Sequence, residues 1–99
     1  MQMKMVLLSA DNNPSVYSVP DIVADHLRDY CLDFCTHWLH ESPNAEKYRV
    51  NGGLCYTEKD FIEYLNKWLF PDGPSCFIET LDANADIPQK YQTFSCFHF

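Results

Sequence analysis

One stretch constrains this chain more than any other: residues 20–41, PDIVADHLRDYCLDFCTHWLHE. Its apolar residues recur at helical spacing. At about 100° per residue, Val23, Leu27, Tyr30, Cys31, Phe34 and Trp38 fall within one face about 100° wide. Pro20 suits the first turn, where a missing N–H costs nothing. Asp21 and Asp25 favour the positive end of the helix dipole. Ser42-Pro43 ends the run, because the residue before proline avoids the helical region. A helix this long must lay its apolar face on the rest of the chain.

The cover is readable on either side of it. Met3–Ser9 alternates as a strand, with Met3, Met5 and Leu7 on one face and Lys4, Val6 and Leu8 on the other. Both faces are mostly apolar, which places this strand inside a sheet. Ala10-Asp11-Asn12-Asn13-Pro14 is a turn cluster, and residues 15–19, SVYSV, return as a hairpin. Residues 44–56 define no element beyond a tight turn at Asn51-Gly52-Gly53 that needs positive φ. Thr57 with Asp60 reads as a capping box, with Asp in place of the usual Glu or Gln. It opens a second helix whose stripe is Phe61, Ile62, Leu65, Trp68 and Leu69, stopped by Pro71-Asp72-Gly73-Pro74. Residues 75–81, SCFIETL, form a strand, 82–89 a polar loop, and 91–99, YQTFSCFHF, a terminal strand. Leaving that terminal segment loose would expose its phenylalanines, at about 1.5–3 kcal/mol each.

The order β-β-α-α-β-β predicts an α+β fold in a single domain, 1–99: a small mixed or antiparallel sheet of about four strands covered by two helices. With both helices on one face, the other face must be solvated or buried against a second copy.

Composition narrows the function classes. Hydrophobic residues make up 46% and aromatics 15%, ample for one core. The 14 acidic against 7 basic residues leave a formal charge of −7, which disfavours nucleic-acid binding and docking on anionic membranes. The apolar run near the amino end is too short for a signal segment, and no segment has the roughly 18–20 apolar residues of a membrane span. These readings predict a cytoplasmic protein. The five cysteines, Cys31, Cys35, Cys55, Cys76 and Cys96, contain no CxxC and read as reduced thiols, mostly buried. With three glycines and no phosphate-cradling loop, no cofactor is expected.

Three constellations carry possible chemistry. Asp33, His37 and His40 share one flank of the long helix at spacings of four and three. They read either as a divalent-metal site, or as an Asp33–His37 hydrogen bond with His40 capping the helix C-terminus. Cys55 precedes the second helix, where a helix N-terminus activates a thiol; the alternative is a small buried residue. The acidic groups Glu58, Asp60 and Glu63, and Asp82 with Asp86, read as solvated. A different feature points to binding. Leu32, Cys35 and Leu39 form a second apolar stripe on the long helix, roughly opposite its core face. Either the chain covers this stripe itself, or a protein partner or a second copy does.

The run CYTEKDFIEYLNKWLFPDGPSCFIETL, 55–81, after the opening MKMVLLSADNNPSVYSVP, resembles small uncharacterised bacterial proteins of about this length. The resemblance implies a bacterial or mobile-element cytosolic protein. It brings no catalytic motif and so implies no site residues. The leading expectation is a non-enzymatic protein-binding module, monomeric or homodimeric. The alternatives are an immunity or inhibitor protein that blocks a basic effector, and a minor enzyme using Asp33, His37 and His40 or Cys55.

Overall fold

The alternating residues of Met3–Ser9 form β1, the inner strand around which the sheet is laid. The structure is a computed structural model and describes residues 2–10, 13–81, 89–91 and 93–99. The expected turn residues Asp11 and Asn12, and the polar segment 82–88 with its Asp82–Asp86 pair, lie outside the described residues. Strand β2 (Ser15–Pro20) folds back antiparallel on β1, with Met3 opposite Pro20 and Leu8 opposite Ser15. A short hairpin, β3 (Arg49–Val50) and β4 (Gly53–Leu54), stands apart. Strand β5 (Cys76–Thr80) pairs antiparallel with β2, and β6 (Cys96–His98) pairs parallel with β1. The main sheet is therefore mixed and four-stranded, in the order β5-β2-β1-β6. The terminal strand is shorter than its alternating aromatics suggested, because Gln89–Tyr91 forms a 3-10 turn first. The register slips between Val16 and Tyr17, leaving Ile78 as the extra residue on β5. That bulge interrupts the regular spacing of the exposed edge and guards it against a further strand.

The long helical stretch is present but broken. It comprises α1 (Asp21–Asp25), α2 (Leu27–Leu32), a π-helical segment Asp33–Trp38, and α3 (Leu39–Glu41). Pro20 ends β2 and stands before the helix rather than in its first turn. At His26 the backbone leaves the helix, at φ −129° and ψ 37°. Residues 21–41 contain no proline or glycine, so the break has a tertiary cause. At one end of α1 the Asp21 N–H donates to the Gln2 carbonyl (2.9 Å); at the other Lys4 Nζ meets Asp25 Oδ1 (2.7 Å). Both ends of α1 are thus tied to β1 or to the residue just before it, and α2 starts afresh.

The undecided stretch resolves into a 3-10 helix, Pro43–Tyr48, and the β3–β4 hairpin. Asn51 (φ 51°) and Gly52 (φ 83°) both take the left-handed conformation its tight turn requires. The second helical run is α4 (Glu58–Tyr64) followed by another π-helical segment, Leu65–Leu69. Its capping box is complete: Thr57 Oγ1 accepts the Lys59 N–H, and the Asp60 carboxylate accepts the Thr57 N–H.

Both helical runs pack on one sheet face. Val6, Leu8, Tyr17 and Val19 of the sheet meet Val23, Leu27, Cys31 and Phe34 from the first run and Phe61, Ile62, Tyr64 and Leu65 from the second. Phe34 is the hub. Its ring centroid lies 5.1 Å from Tyr64, 5.5 Å from Phe61, 5.6 Å from Tyr56, 5.8 Å from Trp38 and 6.1 Å from Phe99. The opposite sheet face is partly covered by the chain's own return: Leu7 and Val16 pack with Leu81, Tyr91 and Phe94, while Met3 and Met5 stay exposed.

Phe34→Ala empties the hub and is expected to lower unfolding free energy by about 3–5 kcal/mol in a urea titration. Thr57→Ala removes only the cap and is expected to cost about 0.5–2 kcal/mol in the same assay.

Candidate functional site

The π-helical segments decide which side chains meet. In a π turn the bond runs from residue i to i+5, one residue more than in an α-helix. The Leu39 N–H accordingly reaches the Phe34 carbonyl. That extra residue carries Leu39 round to the side of Phe34, and both are fully buried in the main core. Cys35 is half-buried against the same cluster, and Leu32 is half-buried. The stripe expected from Leu32, Cys35 and Leu39 is therefore not an open surface. Its last member, Leu39, faces inward because the helix stops advancing at about 100° per residue.

The same change separates the expected metal ligands. Asp33 Oδ1 and His37 Nδ1 are 3.3 Å apart, both largely in solvent. His40 instead lines a separate hollow with Arg49, Gly52, Gly53 and Leu54. Among the described residues, no group of three His, Cys, Asp or Glu side chains is placed to hold a metal ion. Nor does His40 take the capping role. Arg49 does, donating to the Leu39 carbonyl (2.9 Å) and the Ser42 carbonyl (3.0 Å).

All five thiols are free, but only Cys31 is buried and Cys35 half-buried; Cys55, Cys76 and Cys96 are exposed. Burial pushes both the Cys31 and the Cys35 thiols up, which disfavours the reactive thiolate. Cys55 donates its backbone N–H to the Tyr48 carbonyl (2.8 Å) and precedes the cap residue Thr57 by two positions. The capping box, rather than the thiol, satisfies the N-terminal donors of α4. The acidic residues nearby are not uniformly solvated either. Glu58 is only 9% exposed and lines a recess with Tyr17. Burial, followed by the Glu58 charge, pushes the Tyr17 hydroxyl up to about 12. Glu63 sits near Lys47 (3.6 Å) and accepts from the Tyr48 hydroxyl (3.4 Å).

A second pocket also brings acidic and aromatic groups together. It is open, about 420 Å³, and lined by Asp33, His37, Trp38, Glu41, Ser42 and Tyr64. The Trp38 and Tyr64 rings lie 4.9 Å apart with planes inclined by 54°, forming a corner. Trp68 extends this aromatic cluster 6.4 Å from Trp38, with 42% of its surface exposed. The first π segment supplies Asp33, His37 and Trp38, and the second supplies Trp68. A π-type bond also closes the second segment, from the Phe70 N–H to the Leu65 carbonyl (2.7 Å). Such turns are rare and frequent at functional sites. Burial, then the negative charge of Asp33, raises the Tyr64 hydroxyl. The rim of the cluster already holds ammonium groups: Lys67 Nζ lies 5.5 Å from the Trp68 centroid and Lys47 Nζ 5.0 Å from that of Tyr48. Among the described residues none lies over Trp38 or Tyr64. Sequence reading missed this site because Trp38 and Trp68 fall in apolar stripes and read as core, while Glu41 carries no motif.

No protein family, curated protein or solved structure was matched by this chain. Among the described residues no helix is long and apolar enough to cross a membrane.

Thiol labelling at neutral pH is expected to modify Cys55, Cys76 and Cys96 in the folded protein at similar rates, Cys35 slowly, and Cys31 only on unfolding. Peptide mapping after timed quenching reads the order; preferential labelling of Cys55 would restore the activated-thiol reading.

Proposed function

We propose that this protein is a non-enzymatic binding module that docks a basic protein partner on the Asp33–Glu41–Trp38–Tyr64 face. The observation that carries this reading is the joining of carboxylates to inclined aromatic rings in one open pocket, built where the first π-helical segment meets the end of α4. The chain's formal charge of −7 adds long-range attraction for a cationic partner, speeding encounter and weakening with salt. Close contact then rests on the rings, since cations bind aromatic faces. An immunity or inhibitor protein that blocks a basic effector belongs to this class. A homodimer through Leu32, Cys35 and Leu39 does not, since Leu39 is fully buried.

Hexalysine serves as a model basic partner. Its addition at low ionic strength is expected to change tryptophan fluorescence saturably, with affinity falling as salt rises. Asp33→Asn with Glu41→Gln is expected to weaken binding several-fold without lowering the melting temperature. Unchanged binding by that double variant would place the cation elsewhere and refute this face as the site.

A further inference from the structure

We propose that the pocket takes an arginine side chain of that basic partner, in preference to lysine. This rests on the docking face proposed above and names what the face selects. The two cations differ physically. Guanidinium is planar, weakly hydrated, stacks on aromatic faces and presents paired N–H donors along its edges. Ammonium is a compact, strongly hydrated point charge. A site that merely gathered negative charge would serve either. This one offers both kinds of contact that guanidinium uses. Half-buried Trp38, backed 4.9 Å away by Tyr64, which is only 7% exposed, gives the corner an aromatic wall. Asp33 and Glu41, on the same helical run and lining the same pocket, give carboxylate acceptors for its edge donors. The volume of about 420 Å³ exceeds what one guanidinium fills, which leaves room for its aliphatic stem and flanking backbone.

The chain's own contacts show the complementary half of the pattern. Its lysines occupy the rim, Lys67 over Trp68 and Lys47 over Tyr48, where ammonium groups remain in water. The inner corner between Trp38 and Tyr64 is bordered by carboxylates and holds none of them, among the described residues.

The experiment compares hexaarginine, hexalysine and hexacitrulline, the last a neutral peptide of nearly the same shape as the first. Binding is followed by tryptophan fluorescence and by calorimetry, at equal ionic strength. Hexaarginine is expected to bind about three- to fivefold more tightly than hexalysine, the margin that one stacked cation supplies. Hexacitrulline is expected not to bind. In Asp33→Asn with Glu41→Gln the arginine preference is expected to disappear. Trp38→Leu, which removes a ring and keeps both carboxylates, is expected to level the two affinities while binding persists. Equal arginine and lysine affinities in the wild type, both lost in the carboxylate variant, would overturn the arginine inference and leave the basic-partner reading standing. Failure of both cationic peptides to bind would overturn both. An arginine preference that survives the carboxylate variant but is lost in Glu58→Gln would move the site to the Tyr17 recess and overturn the assignment.

Discussion

The rings of Trp38, Tyr56, Phe61, Tyr64 and Phe99 converge on the fully buried ring of Phe34, and the remaining architecture follows from keeping them there. These partners come from the first helical run, the segment after the hairpin, the second helical run and the end of the chain. One side chain therefore clamps elements distant in sequence. Four of the five contacts are edge-on or tilted, which suits the ring quadrupoles, and Trp38 alone stacks. An aromatic hub is bulky, and the helix accommodates it locally by widening to π geometry at Asp33–Trp38. Leu39 then comes under Phe34 and closes the core from below.

That same widening also shapes the surface. A straight α-helix would have kept Trp38 in the core stripe and left Leu39 on the opposite face with Leu32 and Cys35. The π turn leaves Trp38 half-buried at the edge of the core, with Asp33 and Glu41 beside it. The second π segment does the same for Trp68. The core and the pocket share rings in this arrangement, because Trp38 and Tyr64 both contact the hub and border the pocket.

Electrostatics points the same way. The few cations are largely occupied by the fold. Lys4 holds Asp25, Lys47 lies near Glu63, and Arg49 caps the first helical run through its carbonyls. Asp33 has an imidazole neighbour, which neutralises it only when protonated. The pocket therefore places the Asp33 and Glu41 carboxylates beside aromatic rings, the feature on which the proposed basic partner rests.

The sequence by itself determined the α+β class, the β1–β2 hairpin, the inner position of β1, the capping box at Thr57 and the left-handed turn at Asn51-Gly52. Each depends on local rules: period-two alternation, a side chain reaching the backbone three residues away, or a backbone angle that few residues tolerate. The candidate site was much less legible. Asp33 and His37 were visible as neighbours, read either as metal ligands or as a hydrogen-bonded pair, and they lie 3.3 Å apart. The stripe of Leu32, Cys35 and Leu39 rested on a constant 100° per residue, and that constant failed at the π turn. Only the tertiary structure decided the break at His26, the turn of Leu39 into the core, the parting of His40 from Asp33 and His37, and the meeting of Trp38 with Tyr64 and Trp68. The physical reason is that helix winding yields to packing. A few residues of altered pitch cost little beside a fully buried aromatic hub, and no local pattern announces where that exchange is made.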